Sequence, residues 1–181
     1  MTRIIAGAHG GRRLRTPAGS GTRPTSDRVR EALFSSLESE LGGFDGVHVL
    51  DLFAGSGALG LEAVSRGAEA ATLVDSDVRA VAAIKQNVRD LDTAGVQVVR
   101  SSAAAFVARA PVAGFDLVFL DPPYAMATEA VTALVRTVAE AVDGSPLFVV
   151  ERSSRDPFAW PERVEGLRHK KYGETTLWYG R

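Results

Sequence analysis

The chain has 181 residues, 45% of them hydrophobic and 24% charged, which suits a single domain that buries roughly 70% of its unfolded surface. A net charge of −1 excludes a uniformly basic coat, and the lack of cysteine excludes disulfides, thiolate metal sites and a cysteine nucleophile. No apolar run approaches the ~18 residues that span a bilayer, the first residues lack a signal-peptide core, and His9, His48 and His169 lie too far apart to ligate a metal. A metal-free cytoplasmic protein is the expectation.

Charge is uneven along the chain. Residues 1–30 hold Arg3, Arg12, Arg13, Arg15, Arg23, Arg28 and Arg30 against the single acid Asp27, a balance of +6 that leaves −7 for the remainder. A segment basic through arginine alone fits phosphate contact, because the guanidinium fork matches phosphate geometry. A solvated terminus has the same composition. Residues 3–6 and 12–15, joined by a glycine-bearing turn over 7–11, predict a β-hairpin, and a Pro- and Gly-rich loop follows over 16–25. The chain thus divides into a basic hairpin and loop over 1–22 and a main domain over 23–181.

A helix is predicted from Thr25 or Ser26, both good N-caps, to about Leu41, where Gly42-Gly43 stops it. Val29, Leu33, Leu37 and Leu41 recur every fourth residue, turning one side inward and the arginines outward. From residue 47 the pattern alternates: strands over 47–51, 71–75, 96–100, 115–121 and 147–151, with helices over 58–66, 77–91, 103–109 and 128–142. Such alternation predicts an α/β fold with a mostly parallel sheet and helices on both faces. Residues 167–171 and 174–179, around Gly173, predict a final hairpin closing one sheet edge. The aromatic loop Asp156-Pro157-Phe158-Ala159-Trp160-Pro161 reads as cover for that edge rather than as a base-stacking platform.

Two segments carry chemistry. The first strand of the alternation leads into Asp51-Leu52-Phe53-Ala54-Gly55-Ser56-Gly57-Ala58-Leu59-Gly60, a tight turn and helix start in which Gly55, Gly57 and Gly60 satisfy G-x-G-x-x-G. Asp75 ends the next strand, where an acid can hold ribose hydroxyls. Asp51 puts a carboxylate where a dinucleotide would need its pyrophosphate, and so favours a cationic adenosine cofactor, S-adenosylmethionine; an acid that merely orders the turn amides is the plainer reading. The second segment, Asp121-Pro122-Pro123-Tyr124, ends a strand that reads as buried on both faces. Its carboxylate can accept from an amino group, its prolines hold φ near about −65°, and its tyrosine offers a flat surface. That set suits a nucleobase taken out of its stack, although Asp-Pro is also common turn chemistry.

With these segments in order, the chain resembles class I S-adenosylmethionine-dependent amino-methyltransferases and, more closely, the RsmD family. The likeness rests on Arg23-Pro24-Thr25-Ser26-Asp27-Arg28-Val29-Arg30-Glu31-Ala32-Leu33-Phe34, on the glycine turn continued through Leu61-Glu62-Ala63, on Asp121-Pro122-Pro123-Tyr124 and on Tyr172-Gly173-Glu174-Thr175. The resemblance implies a Rossmann-like seven-stranded sheet, an N-terminal β-hairpin for RNA, and methylation of N2 of one guanine in 16S rRNA. It implies the 30S subunit or its assembly intermediate as partner; a monomer is the expectation. The catalytic residues it suggests are Asp121, Pro122, Pro123 and Tyr124. Its cofactor contacts are Asp51, Ala54, Gly55, Ser56, Gly57, Asp75, Ser76, Ser102, Ala103 and Thr25, and its RNA contacts are Arg3, Arg12, Arg13, Arg15 and Arg23. Ser101-Ser102-Ala103 stands where many methyltransferases keep an acid or amide for adenine, which leaves that contact to Ser102 or to backbone. The segment from Arg23 to Thr25 is open to three readings: a contact with the methionine carboxylate, with RNA, or a helix cap. The rival functions are an adenine-N6 DNA methyltransferase, a nicotinamide-dependent oxidoreductase and a non-catalytic RNA-binding assembly factor.

Overall fold

The computed structural model describes residues 2–17, 26–109, 114–142 and 144–181. An antiparallel hairpin comes first: β1 (Thr2–Arg3) pairs with β2 (Arg13–Leu14), and a short 3-10 turn, Gly7–His9, lies between them. Its strands are shorter than the sequence predicts because the intervening backbone bonds elsewhere. Ile5 and Ala6 donate their N–H groups to the Glu62 carboxylate at 2.7 and 3.0 Å. A Cβ at Gly7, where φ is +79°, would collide with the Ser65 carbonyl, so only glycine lets this turn lie so close to the helix beneath it. Ile4 and Leu14 join the main core.

Helix α1 (Asp27–Leu41) starts at Ser26, whose hydroxyl accepts from Val29 N at 3.3 Å, and ends at Gly42 in the left-handed region, φ +74°. Thr25, the other candidate cap, lies outside the described residues, as does Arg23. Leu33 and Leu37 are buried and Val29 and Leu41 half-buried, as the spacing predicts; Phe34 is buried beside them, and one arginine departs from the pattern. Arg30 is 2% exposed and donates to the Arg3 carbonyl and to Asp27, both at 2.7 Å. The hairpin backbone over α1 supplies the acceptor that makes this burial tolerable.

The remaining elements are β3 (His48–Asp51), α2 (Ala58–Ser65), β4 (Ala70–Asp75), α3 (Val78–Leu91), β5 (Val96–Arg100), α4 (Ala103–Arg109), β6 (Leu117–Leu120), α5 (Thr128–Ala141), β7 (Leu147–Ser153), β8 (Gly166–Tyr172) and β9 (Thr175–Gly180). They build a seven-stranded sheet in the order β5-β4-β3-β6-β7-β9-β8. The first five strands run parallel; β9 runs antiparallel to β7, and β8, antiparallel to β9, runs in the direction of β7. Alternate residues serve opposite faces. Val49, Leu73 and Phe119 pack toward α1, α2 and α3, while Leu50, Val118 and Val150 pack toward α4 and α5. Covered on both sides, β6 reads Leu-Val-Phe-Leu without a polar break. A Cβ at Gly60 would meet the Leu73 side chain, so this glycine sets how close α2 lies to β4.

The aromatic loop covers the sheet edge as expected. Trp160 lies over Gly166 and Gly180, where a Cβ would approach its ring to 2.6 and 2.8 Å, and Phe158 meets Trp160 edge-on at 4.9 Å. Among the described residues no helix is long and apolar enough to cross a membrane.

Candidate active site

Strand order reverses between β3 and β6, and in such sheets the crevice opens at the carboxyl ends of the strands flanking the reversal. Four acids collect there: Asp75 and Asp51 end β4 and β3, Asp121 directly follows β6, and Glu151 lies on β7 one residue past its parallel pairing with β6. The glycine turn and the Asp-Pro-Pro-Tyr segment therefore face one crevice.

The turn is fixed from β4. Asp75 accepts from Gly55 N at 2.8 Å and from Asp77 N at 2.9 Å, one bond to each oxygen. A carboxylate has about four acceptor positions, so both oxygens keep capacity for ligand hydroxyls. Gly55 and Gly57 have φ of +56° and +80°, a region costly for residues with a Cβ. Ala54 continues the ladder by donating to Val74 O at 2.9 Å. Ser56 is held through its carbonyl by Asn87.

Asp51 is 1% exposed, and burial, followed by the neighbouring Asp75, pushes its carboxyl from 3.8 up to about 7, against the opposing pull of the Phe53 and Gly60 amides. The bond from Phe53 N, at 3.3 Å, shows that Asp51 also orders the turn, so the plainer reading of this acid is met as well. Asp121 is only part-exposed; its carboxyl is raised well above 3.8 by burial first, then by Glu151 and Asp51. Neighbouring like charges resist simultaneous ionisation, so the acids of this crevice favour a cation.

Tyr124 is 54% exposed at the mouth, its hydroxyl 3.1 Å from the Thr175 hydroxyl at the β8–β9 turn. Pro122 is buried and Pro123 exposed, and Met126 N closes a turn onto Pro123 O at 2.9 Å. Arg152, 1% exposed, pins the following segment by donating to Met126 O at 2.9 Å and Thr128 Oγ1 at 3.2 Å. A cavity of about 380 Å³ beside Tyr124 is bounded by Met126, Glu129, Arg152, Asp156 and Pro157.

Ser76 and the Ser102–Ala103 pair follow the carboxyl ends of β4 and β5, whereas the hairpin's Arg3, Arg12 and Arg15 are bound to Asp27 and Asp90. Ser76 follows Asp75 and is exposed. Ser102 accepts from Ala105 N at 3.2 Å and so caps α4, with Ala103 buried beside it. Arg3 pairs with Asp27 at 2.8 Å and Arg15 with Asp90 at 3.1 Å, Arg12 donates to the Asp90 carbonyl, and Arg13 is exposed.

Two residues with central roles were not singled out by the sequence. Asn87 on α3, 1% exposed, donates to Ser56 O at 2.9 Å and Arg15 O at 3.0 Å and accepts from Arg15 N at 2.8 Å, tying hairpin to glycine turn. Its signal was an amide on the apolar stripe of α3, between Ile84 and Leu91. Glu62, fully buried, clamps the hairpin backbone and pairs with Arg66 at 2.8 Å.

This sheet order and its crevice define a class I methyltransferase fold. A model of the family described as "Conserved hypothetical protein 95" matches residues 2–181, and the chain belongs to that family. A relative from Bacillus subtilis (strain 168), YlbH, provisionally described as an rRNA methyltransferase, is 40% identical over 183 residues, covering 96% of this chain and 95% of the relative. Ribosomal RNA small subunit methyltransferase D of Escherichia coli (strain K12) is 43% identical over 122 residues, 67% of this chain and 60% of that protein. The solved structure of yhhF from Escherichia coli, provisionally described as a methyltransferase, superposes with a TM-score of 0.84 at 33% identity, covering 98% of this chain and 96% of that one.

Proposed function

We propose that this protein transfers a methyl group from S-adenosylmethionine to the exocyclic N2 of one guanine in 16S rRNA, within the small ribosomal subunit or its assembly intermediate. The observation that carries the reading is the shared crevice: Asp121 stands at the end of β6, next to the glycine turn that leaves β3, with Tyr124 open at the mouth. Ribosomal RNA is the substrate class for which the bacterial relatives are named.

The residues present fit the cofactor. Asp75 has acceptor capacity for ribose hydroxyls, Ala54, Gly55, Ser56 and Gly57 let backbone come close, and Ser76, Ser102 and Ala103 border the adenine side. Asp51 gives the cationic portion a carboxylate, and the segment containing Thr25 is assigned to the methionine end. Bound there, S-adenosylmethionine supplies an electrophilic methyl group.

The protein's part is to aim and to take a proton. A guanine N2 lone pair is delocalised into the ring and is a weak nucleophile. Asp121 and the Pro122 carbonyl accept from the two N2 hydrogens and fix the direction of the lone pair, while Tyr124 stacks on the base. Proximity is the main source of rate, and the Asp121 carboxylate stabilises positive charge developing on nitrogen and accepts the proton N2 loses. The electrostatics agree: a positively charged ligand in the crevice draws Asp51 and Asp121 toward their ionised forms, readying Asp121 to accept. The arginines Arg3, Arg12, Arg13, Arg15 and Arg23 are assigned to RNA phosphates, and the enzyme is assigned as a cytoplasmic monomer.

The test is methyl transfer from labelled S-adenosylmethionine to small subunits, naked 16S rRNA and duplex DNA, with the product nucleoside mapped. N2-methylguanine in the RNA is expected. Label on DNA adenine alone, or on no nucleic acid, refutes the proposal.

A further inference from the structure

The positive charge of this protein is divided between two places. Residues 166–181 carry Arg168, Lys170, Lys171 and Arg181 against Glu174, a balance of +3; with +6 over residues 1–30, the stretch 31–165 is left at −10. The second basic segment is the β8–β9 hairpin, and β8 is the outer strand of the sheet, exposed at every position through Lys171.

Its turn sits at the active-site mouth. β9 runs antiparallel to β7 with Thr175 opposite Ser153, which places the β8–β9 turn at the carboxyl end of β7. There Ser154 N donates to Glu174 O at 2.8 Å, Ser154 Oγ donates to Gly173 O at 3.2 Å, and the Thr175 hydroxyl meets that of Tyr124 at 3.1 Å. At roughly 3.3 Å of rise per residue, Lys170 and Lys171 stand within about 10 Å of that turn.

The two basic regions differ in how their cations are used. Arg3 and Arg15 are bonded to acids, and Arg12 to a carbonyl. Arg168 is similarly committed, to Glu40 at 2.7 Å and Ser36 at 2.8 Å, and lies over the Tyr179 ring. Among the described residues, neither Lys170 nor Lys171 is paired with an acid. Lys170 rests 5.5 Å over the Tyr172 ring, and Lys171 projects on the other face of the strand. Exposed ammonium groups on both faces of an outer strand, in a protein whose middle is strongly acidic, attract a polyanion that approaches along that edge.

We infer that β8 is an RNA track: Lys170 and Lys171 contact the phosphates of the strand flanking the target nucleotide and lead it over the Tyr172–Thr175 turn to Tyr124. This rests on the rRNA reading above. It adds a surface that the arginine-rich N-terminus does not supply.

The test compares wild type with Lys170→Ala/Lys171→Ala and the charge-reversed Lys170→Glu/Lys171→Glu. Binding to small subunits and naked 16S rRNA is measured between about 50 and 200 mM salt, alongside cofactor affinity and melting temperature. The alanine pair is expected to weaken RNA binding several-fold and to lower the salt slope by roughly 0.7–0.9 for each phosphate that is no longer neutralised. The glutamate pair should weaken it further, and cofactor affinity and melting temperature should stay at wild-type values. Unchanged RNA affinity and slope overturn the track. So does self-association of the variants without any effect on RNA, which would make the lysines guards against edge pairing. If wild type neither binds nor methylates RNA, the functional reading fails and the track falls with it; an active wild type beside indifferent lysine variants defeats the track alone.

Discussion

Replacing Asp51 with Asn removes a carboxyl that the fold keeps out of water at 1% exposure. In the unfolded chain this group loses its proton near 3.8, whereas burial in the folded protein delays that loss to about 7. The folded state therefore binds more protons across this interval, and stability falls as pH rises from about 4 to about 7, after which the loss is complete. At about 1.4 kcal/mol per unit, the interval corresponds to at most about 4 kcal/mol. For a domain of this size, that is on the order of 8–16 °C in melting temperature. Asn keeps an oxygen to accept from Phe53 N but cannot ionise. Thermal unfolding of cofactor-free protein at pH 5, 6, 7 and 8 should thus show wild type losing stability more steeply with pH than Asp51→Asn. A decline should persist in the variant because Asp121 is also raised. Parallel pH curves for the two proteins would refute the reasoning.

Asp121→Ala should lower turnover by at least about 10²-fold while leaving the cofactor dissociation constant within a few-fold; near-normal single-turnover rates would remove Asp121 from the chemistry. Asp75→Ala takes the acceptor from Gly55 N and is expected to weaken cofactor binding at least about tenfold, by calorimetric titration, and an unchanged constant would reject its ribose role. Asn87→Ala breaks three bonds joining Ser56 and Arg15 and should cost about 2–4 kcal/mol in urea unfolding; a decrease under about 1 kcal/mol would mean hairpin and turn hold without it.

Much of the α/β body could be read from the chain because its signals are local. β5 and α4 fall at the predicted residues, and α1 ends where Gly42 enters the left-handed region. β6 is shorter than the predicted 115–121, as its ends turn into the loops that carry Asp116 and Asp121. Asp51, Asp75 and Asp121 were legible because strand ends in a parallel sheet line up whatever the helices do. Long-range partnerships were not. Ile5 N and Glu62 are 57 positions apart and Arg15 and Asn87 are 72 apart, and no periodicity links either pair. Arg30 shows the same limit: helical spacing assigned it outward, but the hairpin that supplies its acceptor arrives from elsewhere in the chain.

The position of β9 between β7 and β8 imposes an order on synthesis. β8 leaves the ribosome before β9 yet has no partner in the sheet until β9 exists, and the flank of β7 stays open in the meantime. For that interval the nascent chain presents an unpaired strand edge lined by Phe148 and Val150, the kind of surface that recruits chaperones or pairs with neighbouring chains. The charged run on β8 keeps the waiting strand soluble until β9 pairs with both flanks.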